Sequence, residues 1–298
     1  MTSITTYRAA LVALPAADWE PYLLAHANLP GPRGNLELAQ ATADEGTEAQ
    51  FRRWAGLGPD VAPENTPACF LAFCGAVGLG AVMARGSGRG EAFRHELAAT
   101  TDIPSEAGLF VTAGPAGNPT GTLRGASPLQ TLRPLASDPR WRIREGVAMA
   151  LQRWGDADMA SLLAAMTDWA AGNPLEQRAA AAALCEPRLL RQPEHASAVL
   201  HILDGITTSI PQITDRKTDA FKTLRQGLGY CWSVAVAALS DDGKPLMEKW
   251  LASPDPDIRW IMRENLKKNR LVRMDAAWVA RWRALNSAHS DRQAQFEL

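Results

Sequence analysis

The 298-residue sequence has little of what marks several common classes of protein. Its four cysteines (Cys69, Cys74, Cys185 and Cys231) show no CxxC spacing and no nearby histidine pair. We therefore expect buried reduced thiols, with neither a structural zinc site nor a disulfide framework. Lysine is missing from the first 216 residues, which indicates a different surface for the C-terminal third. Runs of alternating β-branched residues are nearly absent, and helical periodicity dominates, so the sequence predicts an all-α protein.

The charges of the chain almost cancel. Lys and Arg number 31 against 32 Asp and Glu, which gives a formal net charge of -1 and a pI of about 6.5. A protein whose whole surface binds nucleic acid is usually basic, so this balance weakens that class.

Long apolar runs are also scarce. We expect no stretch to reach the roughly 18 apolar residues that span a bilayer, and we interpret residues 70–83 as a buried helix. The apolar run after Arg8 is minimal and is followed by Pro15, so it is interpreted as an amphipathic first helix and not as a signal peptide. We expect a cytoplasmic protein without membrane contact.

Signatures of catalysis and cofactor binding are missing as well. No GxSxG, HExxH or paired-carboxylate motif is present, and the five histidines are scattered. Glycines at Gly75, Gly78 and Gly80 follow the order G-x-x-G-x-G, with no strand before them and no GK[ST] after them. We interpret them as small residues that let two helices approach closely. The sequence predicts no cofactor and no metal, and it leaves open whether the chain is an enzyme.

Composition divides the chain into three parts. Residues 1–83 are predicted to be an N-terminal helical segment of divergent or capping repeats. Residues 84–128 contain eight glycines and four prolines, which predicts an irregular, protease-sensitive loop. Residues 129–298 show the clearest helical periodicity.

Two stretches of the periodic region are related to each other. Leu135–Arg144 and Leu251–Arg259 both carry Leu-Ala-Ser, then Asp-Pro, then Ile-Arg, and a leucine follows each Arg after seven residues. Weaker copies surround Arg178 and Arg225. The arginines at positions 144, 178, 225 and 259 are separated by 34, 47 and 34 residues, and helix-pair repeats have periods of about 34 to 47 residues.

These motifs resemble HEAT repeats of the armadillo type, over roughly residues 129–282. The resemblance implies HEAT-like helix pairs stacked into a right-handed superhelical solenoid with a concave groove and a Gly/Pro-rich irregular insertion. It also implies that Asp138 and Asp255 cap helices at the repeat turns, and that Arg144 and Arg259 pair with acceptors of the neighbouring turn. A carboxylate suits a helix N-terminus because it accepts orphan amides and complements the dipole.

Tryptophan and basic residues meet in these turns. Eight of the ten tryptophans fall in the repeat region, where core packing is their expected role and an aromatic binding face is the alternative. Arg259, Arg263 and Lys267 share a helical stripe beside Trp260. The candidate binding residues are Arg140, Trp141, Arg144, Trp232, Arg259, Trp260, Arg263 and Lys267.

The leading hypothesis is a non-enzymatic binding or scaffold protein whose concave face holds a protein or peptide. The alternative is a DNA-binding repair enzyme, because the Trp/Arg turns partly resemble those of bacterial alkylpurine DNA glycosylases, which are also built from HEAT-like repeats. Trp141 and Arg144 lie in the matching kind of turn, but no aspartate matches the catalytic one, and Asp168 is the nearest. A basic groove lined by Trp would favour DNA, whereas mixed charge would favour protein or peptide. The sequence does not indicate an oligomeric state.

Overall fold

The computed structural model describes residues 3–99 and 125–296, with side chains described outside 88–99 and 287–296. Within these ranges the chain forms fifteen α-helices, three short 3-10 helices and no strand, so the prediction of an all-α protein is confirmed. The α-helices are α1 (Ile4–Ala13), α2 (Trp19–Ala25), α3 (Leu36–Glu45), α4 (Glu48–Ala55), α5 (Pro67–Ala99), α6 (Pro128–Leu135), α7 (Trp141–Ala157), α8 (Met159–Ala170), α9 (Pro174–Leu184), α10 (Pro193–Ser209), α11 (Asp219–Ala238), α12 (Ser240–Leu251), α13 (Pro256–Leu266), α14 (Asn269–Met274) and α15 (Ala276–Phe296).

Side-chain caps fix where many of these helices begin. Asn35 accepts the backbone N–H of Leu38 at 3.0 Å and so starts α3. Thr47, Ser127 and Asn173 each form a reciprocal capping box with the residue three positions on, at the starts of α4, α6 and α9. These bonds satisfy backbone donors that a helix N-terminus leaves without an intrahelical partner.

Helix α5 is the centre of the N-terminal half, where it packs against α2, α3, α4, α6 and α7. A Cβ at Gly75 would lie 2.8 Å from the carbonyl oxygen of Phe51 in α4. A Cβ at Gly80 would overlap the backbone of Ala150 in α7. The interpretation of these glycines as points of close helix approach is therefore confirmed.

The length of α5 differs from two expectations. Residues Pro67–Ser87 are long and apolar enough to cross a bilayer by length and composition, with a mean hydropathy of 1.9, so the expectation that no stretch reaches this length is wrong. Of the most apolar 18-residue stretch of this helix, 72% is buried inside the protein, as in a core helix. The helix also continues through Ala99, past the loop start predicted at Ala84. The rest of the predicted loop up to residue 124 lies outside the described residues.

From α7 to α13 the helices lie in two layers. Helices α7, α9, α11 and α13 follow one another side by side, and α8, α10 and α12 form the second layer against them. Each helix of one layer packs on its sequence neighbours in the other, which buries apolar side chains from both. This alternation is compatible with a helical repeat protein.

All four cysteines are buried and unpaired, which confirms the prediction of buried free thiols. Burial, with a smaller contribution from Glu64, raises the pKa of the Cys69 thiol to about 11. Burial also raises the pKa of Cys74 and of Cys185, which hydrogen-bonds with Cys231. A raised pKa keeps a thiol protonated and unreactive at neutral pH.

Tryptophan plays a repeated structural role next to basic residues. Six of the ten tryptophans directly follow an arginine or lysine, in the pairs Arg53-Trp54, Arg140-Trp141, Arg153-Trp154, Lys249-Trp250, Arg259-Trp260 and Arg281-Trp282. In three of them the indole N–H and the cation share one carboxylate of another helix. Asp204, for example, accepts from Trp250 Nε1 at 2.7 Å and from Lys249 Nζ at 2.9 Å.

Two of these shared carboxylates have lowered pKa values. The hydrogen bond from the Trp54 indole is the largest cause for Glu20, whose pKa falls despite partial burial. For Glu248, burial acts to raise the pKa, but hydrogen bonds from Trp278 (2.6 Å) and Trp282 (3.0 Å), together with the charge of Arg281, outweigh it. Both groups therefore favour the folded state when they are charged.

The expected consequence is an acid-sensitive fold. A lowered folded-state pKa contributes stability above the unfolded-state pKa of about 4.3, and this stability is lost as the pH falls through the folded-state value. Glu248→Gln removes the titrating group, so its free energy of unfolding should decline less than that of the parent between about pH 5 and pH 3. Urea unfolding across this range measures the difference, with Glu194→Gln at an exposed site as the control. Parallel declines in parent and Glu248→Gln would contradict this role.

Candidate binding site

An apolar cleft of about 210 Å³ opens where α3, the segment before it (residues 29–34), α5 and the start of α7 meet. We call it the Trp141 cleft. Phe70 and Phe73 of α5 contribute stacked rings, with centroids 6.2 Å apart. Leu36 and Trp141 contribute further apolar surface, and charged side chains also line the cleft. Its wall residues come from sequence positions more than 100 residues apart.

The Trp141 side chain is exposed but held in place. It is 47% exposed, and the guanidinium carbon of Arg142 lies 4.5 Å from its ring centroid. Arg142 itself is buried: its Nη2 donates to the carbonyl oxygen of Gly31 at 2.6 Å, and its Nε lies 3.1 Å from Glu64. Asn65 fastens the same turn by accepting the backbone N–H of Gly31 at 3.0 Å. A rigid cation thus supports an indole that solvent reaches.

The neighbouring Arg140, a predicted binding residue, is buried. It is 3% exposed, its Nε and Nη2 donate to Asp138 at 2.8 and 2.7 Å, and its Nη1 donates to the carbonyl oxygen of Ala62 at 2.9 Å. The hydrogen bonds to Asp138 raise the pKa of the guanidinium. Arg140 therefore fixes the turn that carries Trp141.

The two aspartates implied as helix caps differ from each other. Asp255 caps α13, because its carboxylate accepts the backbone N–H of Asp257 at 2.9 Å and of Ile258 at 3.2 Å. Asp138 does not cap α7: its carboxylate accepts the backbone N–H of Arg140 at 2.8 Å and binds the Arg140 side chain. Two extra residues between Asp-Pro and Ile-Arg in the first copy start α7 farther from the aspartate, which corrects the implied role.

The two Ile-Arg arginines contact the turn before their own helix. Arg144 Nη1 donates to the carbonyl oxygen of Asp138 at 2.6 Å, and Arg259 Nη1 donates to that of Ser253 at 3.5 Å. Burial and the nearby charge of Arg178 lower the pKa of Arg144. Each arginine thus closes its own turn at a carbonyl six residues back.

Two other arginines, at the weaker copies of the repeat motif, connect neighbouring helices of the layer formed by α7, α9, α11 and α13. Arg178 of α9 donates to the carbonyl oxygen of Arg144 at 3.3 Å and lies 3.6 Å from Glu145, both in α7. Arg225 of α11 lies 3.0 Å from Asp257 in α13. We call Glu145, Arg178, Arg225 and Asp257 the charged row. It holds two bases between two acids, so it is neither uniformly basic nor uniformly acidic.

The remaining predicted residues lie away from the cleft. Trp232 is fully buried and donates from Nε1 to Thr207 at 3.1 Å. Trp260 is half-buried, with the Arg225 guanidinium 4.0 Å from its ring centroid. Arg263 is half-buried on α13, and Lys267, just past its end, pairs with Glu264 at 2.5 Å. The structure therefore brings Trp260 to the charged row but does not bring the predicted stripe to Trp141.

The cleft has the size and chemistry of a side-chain pocket. Small-molecule sites commonly have volumes of about 300–1,000 Å³, and the Trp141 cleft is smaller. Among the side chains that the structure describes, in residues 3–87 and 125–286, no group of three His, Cys, Asp or Glu could hold a metal ion. Asp168, the aspartate nearest to the glycosylase pattern, is 2.5 Å from Arg133 in an exposed ion pair. Apolar anchoring is the function that this geometry supports directly.

Comparisons with known proteins assign no family. No family model and no curated protein matches the chain. Three crystal structures of engineered proteins from the Northeast Structural Genomics Consortium align with it at 14%, 14% and 15% identity and TM-scores of 0.34, 0.35 and 0.33. The alignments cover 92%, 90% and 88% of this chain, and 98%, 98% and 57% of those chains. Similarity at this level assigns neither a fold family nor a function.

Proposed function

We propose that the chain is a non-enzymatic binding protein in which HEAT-like helix pairs form a superhelical solenoid and present a surface to a protein or peptide. The observation that carries the proposal is the internal pairing of the arginines. Arg178 of α9 faces Glu145 of α7, and Arg225 of α11 faces Asp257 of α13. The charged row therefore offers both positive and negative charge to a partner. Surfaces of mixed charge select protein partners by complementary pairing.

The same pairing argues against a surface built for duplex DNA. Affinity for DNA comes largely from cations that neutralise phosphates and release counterions. Arg178 and Arg225 already have carboxylates within 3.6 and 3.0 Å, so phosphates would compete with these acids. A strongly basic groove lined by Trp, which the glycosylase alternative requires, does not match this arrangement.

The Trp141 cleft adds an apolar site to the polar surface. Protein interfaces concentrate their binding energy in a few buried contacts, often made by Tyr, Trp or Arg, with a polar rim around them. Trp141 is 47% exposed at an apolar cleft, and Glu145, one helical turn on, belongs to the charged row. An anchor pocket next to a row of mixed charge supports recognition of a peptide segment.

The test is a peptide selection that is followed by a charge reversal. Random displayed peptides are selected on the full chain, and the enriched peptides are measured by calorimetry against the parent and against Glu145→Lys with Asp257→Lys. We expect the parent to bind selected peptides and to leave duplex DNA unshifted near 0.15 M salt. The double variant, whose row is uniformly basic, should lose the peptides and gain salt-sensitive DNA binding.

Two results would overturn the proposal. One is the absence of any enriched peptide. The other is tight, salt-dependent binding of the parent to duplex DNA, with base release from alkylated DNA, which would establish the glycosylase alternative.

A further inference from the structure

The Trp141 cleft has walls of a particular kind. Three aromatic side chains line it, namely Phe70, Phe73 and Trp141. Aromatic rings gain additional attraction from other rings in edge-to-face or offset contact, beyond the area that they bury. Its volume of about 210 Å³ suits one large side chain, because small-molecule sites begin at about 300 Å³.

The charges at the cleft differ in how firmly they are held. Arg142 is buried beside Glu64, and Glu145 faces Arg178. Arg33, which also lines the cleft, has a side chain that is 59% exposed, and it pairs with the half-buried Glu37 at 3.4 Å. A pair near the surface contributes little stability and exchanges readily. Arg33 is therefore the charge that a bound partner can recruit.

We propose that the Trp141 cleft binds one aromatic side chain of a partner peptide, and that an acidic residue next to this aromatic residue pairs with Arg33. The inference rests on the proposed function and names its partner class. The aromatic group occupies the space between the rings of α5 and Trp141, and the carboxylate displaces Glu37 from Arg33. An aliphatic side chain would fill the cleft without the ring contacts, and a basic neighbour would meet repulsion.

Gly34 offers a way to close the cleft without disturbing the fold. It lines the cleft, and a Cβ there would lie 3.6 Å from the Phe70 ring, which is an ordinary van der Waals distance. None of the described glycines has a positive φ, so the Gly34 backbone accepts a side chain. Gly34→Leu should therefore place apolar atoms where the ligand ring would lie. Gly58→Leu is the matched control, because a Cβ there meets no atom within 4 Å.

The experiment uses three blocked dipeptide amides, acetylated at the N-terminus, with ¹⁹F NMR titration of the full chain. They contain Asp followed by 5-fluorotryptophan, Lys followed by 5-fluorotryptophan, and Asp followed by a fluorinated leucine. We expect the first to bind most tightly, the Lys form severalfold more weakly, and the leucine form at least threefold more weakly. Gly34→Leu and Trp141→Ala should each weaken the first probe at least tenfold, whereas Gly58→Leu should not change it. Arg33→Ala should remove the preference for Asp over Lys.

The outcomes separate this inference from the proposed function. Equal affinity of the parent and Gly34→Leu for the first probe would overturn the cleft as the site. Thermal melting of Gly34→Leu like the parent shows that the variant is folded. Equal affinity for the Asp and Lys forms would overturn the role of Arg33. If displayed peptides bind the chain but Gly34→Leu and Trp141→Ala leave them unaffected, this inference fails while the proposed function stands. If the probe binds in the cleft but no displayed peptide is enriched, the proposed function fails instead.

Discussion

Asp138→Ala is expected to lower the free energy of unfolding by about 3–5 kcal/mol, because it leaves the Arg140 charge buried without its partner. Arg140 is 3% exposed, and Asp138 accepts two of its side-chain N–H groups at 2.8 and 2.7 Å. The loss of a helix cap alone would cost about 0.5–2 kcal/mol. Urea unfolding of parent and variant distinguishes these two magnitudes.

A double substitution provides the control for this prediction. Replacing both members of a buried ion pair with apolar residues is often close to neutral, so Asp138→Leu with Arg140→Met should recover most of the loss. Asp255→Ala offers a second comparison, because Asp255 caps α13 and pairs with Arg216 at a more exposed site. If Asp138→Ala proved no more destabilising than a lost cap, Arg140 would have to find another acceptor or water when Asp138 is absent.

Gly80→Val is expected to destabilise the protein by about 1–3 kcal/mol or more, as overpacking of a core does. A Cβ at Gly80 would overlap the carbonyl oxygen and Cα of Ala150. The obstacle is backbone and cannot rotate away, so α5 and α7 would have to move apart along their shared interface. Chemical denaturation gives the change in free energy directly.

Gly86→Ala is the matched control on the same helix, and its expected effect has the opposite sign. A Cβ there meets no atom within 4 Å, so the substitution should only restrict the unfolded chain and improve helix propensity, by about 0.5–1 kcal/mol. If Gly80→Val were as stable as the parent, the two helices would not be in close contact at this point.

The sequence predicted those structural features whose cause is local. The glycines of α5 could be interpreted correctly because their order excluded a phosphate loop and small residues are what closely packed helices need. Asp255 stands one residue before Pro256, and this spacing places a carboxylate at the start of a helix. In the first copy, two extra residues between Asp-Pro and Ile-Arg place Asp138 too far from the start of α7, and these residues are visible in the sequence.

The site was harder to predict, because its parts are distant in sequence. Phe70, Leu36 and Trp141 belong to three different helices, and no pattern indicates that they share a cleft. Arg178 and Arg225 were visible only as weak copies of a repeat, although they make contacts between neighbouring helices of one layer.

The prediction that α5 ends before Ala84 failed for a different reason. Glycine content lowers helix propensity by about 1 kcal/mol per residue, but a helix that has already formed elongates more easily than it starts.

The two layers from α7 to α13 also affect how this architecture tolerates change in length. Helices α8 to α13 pack mainly on their nearest neighbours along the stack, so a helix pair could be duplicated or deleted there while the remaining pairs keep their contacts. The Trp141 cleft would be unaffected by such a change, because its walls belong to α3, the segment before it, α5 and α7. Helix α5, in contrast, packs on five other helices at once. The N-terminal half can therefore diverge by substitution but not by gain or loss of units, whereas the stack can lengthen and acquire new contacts around an unchanged cleft.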